Sequence, residues 1–477
     1  MLDARQFYIN GAWVAPIEGE ELTVLNPSNE EPFATISLGG QADTDMAVAA
    51  AKSALPAWAQ SPKDERVAVL ERLFAAYKDR AEEMAQAISQ EMGAPIALAR
   101  SAQVGAGIGH MKDAIETLKT FQFDRMLGDH APGDRILMEP IGVCALITPW
   151  NWPMNQVVLK VAPALAAGCT VVLKPSEVAP LSSYLFAEMV DAADIPAGVF
   201  NLVNGDGPGV GTQLAVHPDV DMVSFTGSTR AGRLITKNAA DSIKRVTLEL
   251  GGKGANIIFA DADEKAVTRG VRHCFNNSGQ SCNAPTRMLV ERSMYDKAVE
   301  TAQSVAQQTE VAAADVDGSQ IGPVVSEVQW DKIQGLIQKG IDEGARLVAG
   351  GTGRPEGLNR GWFARPTVFA DVDQNMTIWR EEIFGPVLAI TPFDSEDEAI
   401  EMANDTAYGL TNYVQTQDLD RAHRAARVLR SGMVEINGHS RGPGAPFGGY
   451  RQSGNGREGG VWGLEDFLEV KSVSGWQ

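Results

Sequence analysis

The chain contains 477 residues, which allows two or three domains and a large buried core. It carries 61 Asp and Glu residues against 41 Lys and Arg residues, and the formal charge of −20 argues against binding to nucleic acid or to anionic membranes. Its four cysteines lack CxxC spacing, so we expect reduced thiols and a cytoplasmic location instead of a disulfide framework.

The first elements predicted along the chain are a hairpin and a group of helices. The segment FYINGAWV favours a short β-hairpin with Asn10 and Gly11 in its turn. Three helices are expected next, and the clearest spans residues 64–92, where apolar side chains recur every three or four positions before Gly93. Neither the N-terminus nor the apolar run over residues 161–173 has the form of a signal peptide or a membrane span, so no membrane partner is expected.

The central part of the chain predicts two successive α/β units. A hairpin near RILMEP leads into the buried strand VCALI, and the strands CTVVLKP, VFNLVN, DMVSFTG and RVTLELGG then alternate with helices. A second series of strands runs from ANIIFADAD to MVEING. Ligands of such sheets bind outside the carboxyl ends of the strands. The final strand, after Phe467, has no neighbouring strand in sequence, which favours edge pairing with another subunit.

The sequence contains two partial matches to known motifs, and the surrounding residues argue against both. Gly454, Gly456 and Gly459 have the spacing of a dinucleotide fingerprint, but they lie too close to the C-terminus for a βαβ unit to follow. The segment GQSCN has Asn283 where a nucleophile elbow requires glycine. Because the sequence also has no paired Cys and His cluster, no metal site is expected.

Three turns after predicted strands carry groups that suit ligands. TPWNWP contains one amide, Asn151, and KPSE places Lys174 and Glu177 where a carboxylate can accept hydrogen bonds from ribose hydroxyls. FTGSTRAGR opens a helix whose free N–H groups suit a phosphate. Turns and helix openings of this kind are common, so ordinary packing stays an alternative for each one taken alone.

Two further segments contain candidate catalytic groups. Glu249 lies between Leu248 and Leu250 at the end of an apolar strand, an environment that raises the pKa of a carboxyl group and suits a general base. Cys282 lies in a loop of small residues, where a thiol is accessible. The other cysteines, Cys144, Cys169 and Cys274, lie in apolar contexts that favour inert thiols.

Taken together, these segments resemble a known family. TPWNWP, KPSE, FTGSTRAG, ELGGKG, GQSC, EEIFGPV and PFGGYRQSGNGRE are similar to the successive motifs of the NAD(P)-dependent aldehyde dehydrogenases, in the same order and over nearly the whole chain. The resemblance implies an α/β fold with three parts. These are a Rossmann-like NAD-binding domain over residues 1–121 and 141–250, an α/β catalytic domain over 251–450, and a small β oligomerisation ribbon with the C-terminal strand over 122–140 and 451–477.

The resemblance also implies roles for individual residues. Cys282 is the nucleophile, Glu249 activates water, and Asn151 shares an oxyanion hole with the backbone N–H of Cys282. Lys160 and Glu458 match positions of a proton relay behind the base. The expected NAD-binding residues are Thr148, Pro149, Trp150, Lys174, Glu177, Gly207, Gly227, Ser228, Gly232, Leu250, Glu382 and Phe384. NAD is expected to be preferred over NADP, and a homo-oligomer is expected, with a tetramer favoured over a dimer.

The substrate end departs from the family pattern. The loop HSRGPGA before Pro446 is short and rich in glycine, and polar groups replace apolar or aromatic ones. The expected pocket residues are Trp152, Asn155, Gln156, Ser281, Asn283 and Phe447. If the amides of Asn155, Gln156 and Asn283 face the pocket, a small oxygenated aldehyde is the expected substrate. If they face neighbouring residues or solvent, no such preference follows. A CoA-acylating enzyme and a catalytically inactive relative are the alternatives. Glu249 argues against the first, which needs no base to activate water, and the presence of Cys282, Glu249 and Asn151 argues against the second.

Overall fold

A computed structural model gives the coordinates, and it describes residues 1–17 and 19–476. The strands, in chain order, are β1 (Leu2–Ala4), β2 (Phe7–Ile9), β3 (Ala12–Val14), β4 (Gly19–Asn26), β5 (Glu31–Gly39), β6 (Asp124–Met126), β7 (Asp134–Pro140), β8 (Val143–Ile147), β9 (Thr170–Lys174), β10 (Phe200–Leu202), β11 (Met222–Thr226), β12 (Arg245–Glu249), β13 (Ala255–Ile258), β14 (Arg287–Glu291), β15 (Arg346–Ala349), β16 (Thr367–Ala370), β17 (Val387–Phe393), β18 (Thr411–Gln415), β19 (Met433–Ile436), β20 (Gly454–Asn455) and β21 (Leu468–Ser474).

The helices, in the same order, are α1 (Gln41–Ala59), α2 (Lys63–Asp79), α3 (Ala81–Met92), α4 (Ile96–Leu98), α5 (Val104–Thr120), α6 (Pro153–Ala167), α7 (Leu181–Ala192), α8 (Thr212–Val216), α9 (Thr229–Ala239), α10 (Ala266–Phe275), α11 (Tyr295–Gln308), α12 (Glu327–Asp342), α13 (Thr377–Arg380), α14 (Glu396–Asn404), α15 (Leu419–Val428) and α16 (Gly460–Glu465). No helix of the described ranges is both long and apolar enough to cross a membrane.

The first large sheet has the strand order β20-β12-β11-β8-β9-β10-β2-β3. Its five central strands, from β12 to β10, are parallel, because helical crossovers return the chain to the same edge each time. Strands β8, β9 and β11 are buried along their whole length, as their unbroken apolar sequences predict. The carboxyl ends of β8, β11 and β12 therefore meet at one edge of the sheet.

The second large sheet has the order β15-β16-β17-β14-β13-β18-β19 and is parallel except for β15. It confirms the second α/β unit that the sequence predicts. Its core is packed around Trp379, Phe369 and Ile337, which are fully buried. Cys282 lies in the loop between α10 and β14, which leads into the amino end of β14.

Strand β21 pairs antiparallel with β7 of the same chain, along all seven of its residues. Together with β6 these strands form a separate three-stranded sheet. The neighbour of β21 on one edge is thus a strand of the same chain more than 300 residues earlier, and pairing of its other edge with another subunit stays a prediction. Within the predicted segment 451–477, β20 joins the first large sheet instead, next to β12.

The N-terminal region differs from its prediction in two ways. Strands β4 and β5 form an antiparallel hairpin before the first helix, and β1 extends it into a small sheet. The helix predicted over residues 64–92 is two helices, α2 and α3, which share Arg80 as the residue between them, with φ −110° and ψ 22°. No Gly or Pro marks this break, and apolar residues of both helices pack into one core, so the spacing runs across it.

Candidate active site

Cys282 follows a turn with unusual backbone geometry. Asn277 and Ser278 both adopt left-handed conformations, with φ of 54° and 57°, and Gly279 continues the turn at φ 72°. Left-handed conformations are costly for residues with a Cβ, and they persist where the surroundings fix them. At Gly279 any Cβ would lie 2.1 Å from the carbonyl oxygen of Gly385, so glycine is required there.

Buried amides hold this turn against the segment that follows β8. The side chain of Gln103 donates to the carbonyl oxygen of Asn151 at 3.1 Å and to Oδ1 of Asn277 at 3.3 Å. Nδ2 of Asn277 donates to the same carbonyl oxygen at 2.9 Å. In turn, Nδ2 of Asn151 donates to the carbonyl oxygen of Gln280 at 3.0 Å. These bonds join the two large sheets at the site and fix Asn151 relative to Cys282.

Glu249 is the last residue of β12, and its carboxylate is buried. Within the described chain, neither of its oxygens has a hydrogen-bond partner. Burial raises the pKa of Glu249 well above its ordinary value, the charge of Glu458 raises it further, and the charges of Lys160 and Arg457 oppose the rise. A carboxylate whose pKa is raised is a stronger proton acceptor, which is what a general base requires.

Lys160, on α6, forms a buried ion pair with Glu458. Its ammonium group also donates to Oγ of Ser224 at 3.2 Å. The side chains are 1% and 10% exposed, so the charges compensate each other in a site of low polarity. The pair lies close enough to Glu249 for both charges to act on its pKa.

Cys282 is only partly buried, whereas Cys144, Cys169 and Cys274 are fully buried. Burial raises the pKa of the Cys282 thiol to about 12, and the neighbouring carboxylates of Glu382 and Glu249 add to the rise. The thiol is therefore protonated at neutral pH in the protein alone, and a base has to remove its proton before it acts as a nucleophile.

Two cavities meet at Cys282. The first, which we call the Glu249 cavity, has a volume of about 190 Å³ and lies at the carboxyl ends of β8, β11 and β12. It is lined by Pro149, Trp150, Asn151, Gln156, Thr226, Gly227, Ser228, Glu249, Leu250, Gly251, Cys282, Gln329, Lys332, Glu382 and Phe384. Ten of these residues belong to the predicted catalytic and NAD-binding sets.

The second cavity, the Phe447 cleft, has a volume of about 410 Å³. It is lined by residues of α5, of α6, of the loop after β19 and of the loops before α6, β14 and α16, namely Ala106, Gly109, His110, Asp113, Trp152, Asn155, Gln156, Leu159, Cys282, Asn283, Arg441, Gly442, Pro443, Gly444, Ala445, Phe447, Glu458 and Gly459. Cys282 and Gln156 are the described residues that line both cavities.

Five predicted NAD-binding residues do not line the Glu249 cavity: Thr148, Lys174, Glu177, Gly207 and Gly232. Lys174 is buried and donates to the carbonyl oxygens of Pro175, at 2.8 Å, and of Gly205. Its ion pair with Glu177 is 3.4 Å long, and the Glu177 side chain is 32% exposed. Gly232 lies in α9 against Leu250, where a Cβ would meet that side chain at 2.7 Å.

Some of the predicted pocket residues have hydrogen-bond partners within the protein, and others have polar atoms without a partner. Asn155 lines the Phe447 cleft, but its Oδ1 is hydrogen-bonded to Nε2 of His110 at 2.8 Å, so this oxygen does not depend on a substrate for a partner. Ser281 accepts a hydrogen bond from Trp152 Nε1 at 2.8 Å and does not line the cleft. By contrast, the buried Oε1 of Gln156 has no partner among the described residues.

Sequence reasoning missed several residues of the site. Gln329 and Lys332, on α12, line the Glu249 cavity, and Gln329 donates to the carbonyl oxygen of Phe384 at 2.8 Å. Gln103, His110 and Arg441 were also missed. Gln329 and Lys332 lie in an ordinary amphipathic helix, and only the fold brings them to the site. The glycine-rich loop HSRGPGA was the one signal that pointed to Arg441.

Comparison with known proteins identifies the family. The sequence model of the aldehyde dehydrogenase family matches residues 13–473. The chain is 52% identical, over the whole of both chains, to 3-succinoylsemialdehyde-pyridine dehydrogenase of a Pseudomonas species. Its structure is similar to the aldehyde dehydrogenase of Bartonella henselae, with a TM-score of 0.99, 57% identity and full coverage of both chains.

A second similar structure contains ligands. It is a cysteine mutant of aldehyde dehydrogenase C from Pseudomonas syringae in complex with NAD+ and octanal, with a TM-score of 0.98, 50% identity, and coverage of 99% of this chain and 97% of the other. The family model spans nearly the whole chain, and both relatives match it from end to end. On these grounds the chain belongs to the aldehyde dehydrogenase family.

Proposed function

We propose that this chain oxidises an aldehyde to the carboxylic acid with NAD as hydride acceptor, through a thioester on Cys282 that is hydrolysed with Glu249 as base. The observation that supports this most directly is that Cys282, Glu249 and Asn151 line one cavity. A nucleophile, a base and an oxyanion donor then face the same reacting atoms, which is the set that acyl transfer requires.

The residues of the Glu249 cavity fit the nicotinamide half of NAD. Thr226 Oγ1 and the carboxylate of Glu249 are buried at its wall without partners in the described chain, a state in which polar atoms bind a ligand or water. Phe384 offers an aromatic edge beside Trp150, with ring centroids 5.5 Å apart. The residues that would hold the cofactor here are Gly227, Ser228, Gln329, Lys332, Glu382 and Phe384. When bound, NAD supplies the ring that accepts the hydride.

The first chemical step needs the thiolate of Cys282. The raised pKa of this thiol keeps it protonated in the protein alone, so its proton passes to solvent as the sulfur attacks, and Glu249 is kept for the second step. The thiolate sulfur bonds to the carbonyl carbon, and the carbonyl oxygen becomes an alkoxide. The second hydrogen of Asn151 Nδ2 and the backbone N–H of Cys282 donate to that oxygen. Departure of hydride from the carbon then leaves a thioester on Cys282.

The second step returns the enzyme to its starting state. Water is a poor nucleophile at neutral pH, so Glu249 takes one of its protons as the oxygen bonds to the thioester carbon. The carbon–sulfur bond breaks, the acid leaves, and the Cys282 sulfur takes back from solvent the proton that it lost in the first step. The Lys160–Glu458 pair offers a route by which the proton held on Glu249 passes to solvent.

The substrate is proposed as a small oxygenated aldehyde. The unpartnered Oε1 of Gln156 supports it, because a buried acceptor left without a donor costs about 1–3 kcal/mol, and a substrate hydroxyl removes that cost. Asn155 gives less support, since its Oδ1 is already hydrogen-bonded to His110. The octanal held by the relative from Pseudomonas syringae favours the opposite, an alkyl substrate. Comparing kcat/KM for a short hydroxyaldehyde, hexanal and benzaldehyde decides between them, and a clear preference for hexanal or benzaldehyde contradicts the proposal.

The reaction itself is tested by NADH formation. The purified protein is mixed with NAD and a panel of aldehydes, with and without CoA, and the product is identified as free acid or acyl-CoA. We expect NADH and free acid without CoA. A strict requirement for CoA would favour the acylating alternative, and no NADH with any aldehyde would favour an inactive relative.

We further propose a cytoplasmic homo-oligomer, a tetramer in preference to a dimer. The sheet of β21, β7 and β6 supports it, since the outer strand β21 and its surroundings expose Val470, at 65%, and Trp476, at 49%. Exposed apolar side chains beside an unpaired strand edge are typical of an interface. Native mass spectrometry measures the number of chains, and a monomer would contradict the proposal.

A further inference from the structure

Arg441 presents a guanidinium group to the Phe447 cleft. Its Cζ lies 4.6 Å from the centroid of the Phe447 ring, and both residues line the cleft together with Cys282. Stacking on an aromatic face restricts the planar guanidinium and leaves its edge free for hydrogen bonds. The aromatic wall of the cleft therefore also orients a cation.

The other titratable groups of the cleft are already engaged. Asp113 accepts a hydrogen bond from the backbone of Gly460 at 2.9 Å, and Glu458 is neutralised by Lys160. Burial lowers the pKa of His110, so its ring is neutral at pH 7. Of the described residues that line the cleft, Arg441 is thus the one that offers a positive charge to a ligand.

Among the described residues, Arg441 has one ionic partner, at a long distance. Its Nε lies 3.5 Å from Oε1 of Glu435, and its side chain is 32% exposed. A guanidinium has five N–H donors in a fixed fork, so this contact leaves most of them available. The positive charge also acts at the reacting end of the cleft, because it opposes the rise in the pKa of the Cys282 thiol.

We propose that Arg441 selects aldehydes that carry a carboxylate at the end remote from the reacting carbonyl group. Arginine binds a carboxylate through two parallel hydrogen bonds, which gives direction as well as energy. The chain as a whole carries a charge of −20 and repels anions, so a local cation in the cleft is needed for such a substrate to bind. This inference rests on the proposed aldehyde oxidation and names its substrate class.

The test uses pairs of substrates that differ only in charge. They are 4-oxobutanoate, 5-oxopentanoate and 6-oxohexanoate, each compared with its methyl ester, with propanal as a simple aldehyde. The chain-length series also measures how far the guanidinium is from the reacting sulfur. For the best acid we expect kcat/KM to exceed that of its ester by about 10- to 100-fold, as a charge-assisted pair provides.

Two variants identify the residue responsible. Arg441→Met keeps much of the packing on Phe447 and removes the charge, so we expect it to abolish the preference by raising KM of the acid, with KM of the ester unchanged. Arg441→Lys should retain part of the preference, because a lysine keeps the charge without the fork. Arg360→Met is the matched control, since Arg360 is an exposed residue paired with Glu31 outside the cleft.

Several outcomes overturn the inference. One is equal efficiency of the acids and esters in the unaltered enzyme. Another is an equal loss for acid and ester in Arg441→Met, which would mean that Arg441 only holds its loop to Glu435. In both cases oxidation of esters and propanal still supports the proposed function. Absence of NADH with every aldehyde, propanal included, would instead overturn the proposed function and this inference with it.

Discussion

The side-chain amide of Asn151 donates a hydrogen bond of 3.0 Å to the carbonyl oxygen of Gln280, two residues before Cys282. Asn151 follows β8 of the first large sheet, whereas Gln280 belongs to the loop that precedes β14 of the second. One amide hydrogen therefore forms a bond that fixes the position of the two sheets relative to each other at the site. The other is left for the oxygen of a substrate, and its direction is fixed before any substrate binds.

Replacing Asn151 by Ala removes both hydrogen bonds. We expect acylation to slow by about 10²- to 10³-fold, the usual effect of losing one oxyanion donor. The rate of the first NADH formed per active site, measured by stopped flow, reports this step. NAD binding serves as the control. A rate within a few-fold of the unaltered enzyme would place Asn151 outside the oxyanion hole.

Cys282→Ala should abolish aldehyde oxidation and leave the fold and NAD binding intact. The reason is that the other thiols are fully buried and line neither cavity. Cys274→Ala is the matched control, since Cys274 is a buried residue of α10, and it should retain activity. NADH formation and circular dichroism measure the two properties. Substantial dehydrogenase turnover in Cys282→Ala would refute the assignment.

Glu249→Gln should separate the two halves of the reaction. Hydride transfer precedes deacylation, and deacylation is the step that needs the base. About one NADH per active site should therefore form in a burst, after which turnover stalls. Rapid-mix absorbance measures the burst, and mass spectrometry of the stalled protein should find the acyl group on Cys282. Loss of the burst with NAD binding retained would show that Glu249 is indispensable earlier, as the base for the thiol.

The pH dependence follows from the raised pKa values of Cys282 and Glu249. Both groups are active when deprotonated, so a raised pKa moves activity to higher pH, and kcat/KM should increase from pH 7 to pH 9. Glu458→Gln removes a negative charge that raises the pKa of Glu249, so the deacylation profile should shift to lower pH. Lys160 is then unpaired and Tm should fall, whereas the double variant with Lys160→Met should recover stability. A profile that Glu458→Gln leaves unmoved would remove Glu458 from the base's surroundings.

NAD should be used better than NADP, by at least about tenfold in kcat/KM, which corresponds to about 1.4 kcal/mol. Glu177 is partly exposed and can accept hydrogen bonds from ribose hydroxyls, and it repels a 2′-phosphate. Lys174 does not offset this, because its ammonium group is turned to backbone carbonyls. Steady-state kinetics with both cofactors, repeated with Glu177→Gln, tests the argument. Equal efficiency with NADP in the unaltered enzyme would contradict it.

The sequence predicts most of the first large sheet and the place of its ligands. Largely apolar strands such as VCALI and TVVLK predict a buried parallel sheet. The carboxyl ends of strands in this sheet carry Asn151, Gly227 and Glu249, which the fold brings to one cavity. These elements are local patterns, so one sequence is enough to read them.

What the sequence does not predict depends on distant contacts. The direction of an amide such as Asn155 is set by His110, a residue of another helix, and the partner of β21 is a strand more than 300 residues earlier. The left-handed turn at Asn277 and Ser278 has no composition signal, because neither residue is glycine. It exists because hydrogen bonds from Gln103 and to Gly322 hold it in place.

The two cavities have only Cys282 and Gln156 in common among the described residues. Substitutions in the loop over residues 439–445 thus alter one wall of the Phe447 cleft without touching the groups around Glu249. Changes to the Phe447 cleft can therefore admit new aldehydes while the Glu249 cavity keeps the residues proposed to bind NAD. For protein engineering this means that the loop is the segment to randomise. Gln156 lines both cavities and should be kept unchanged.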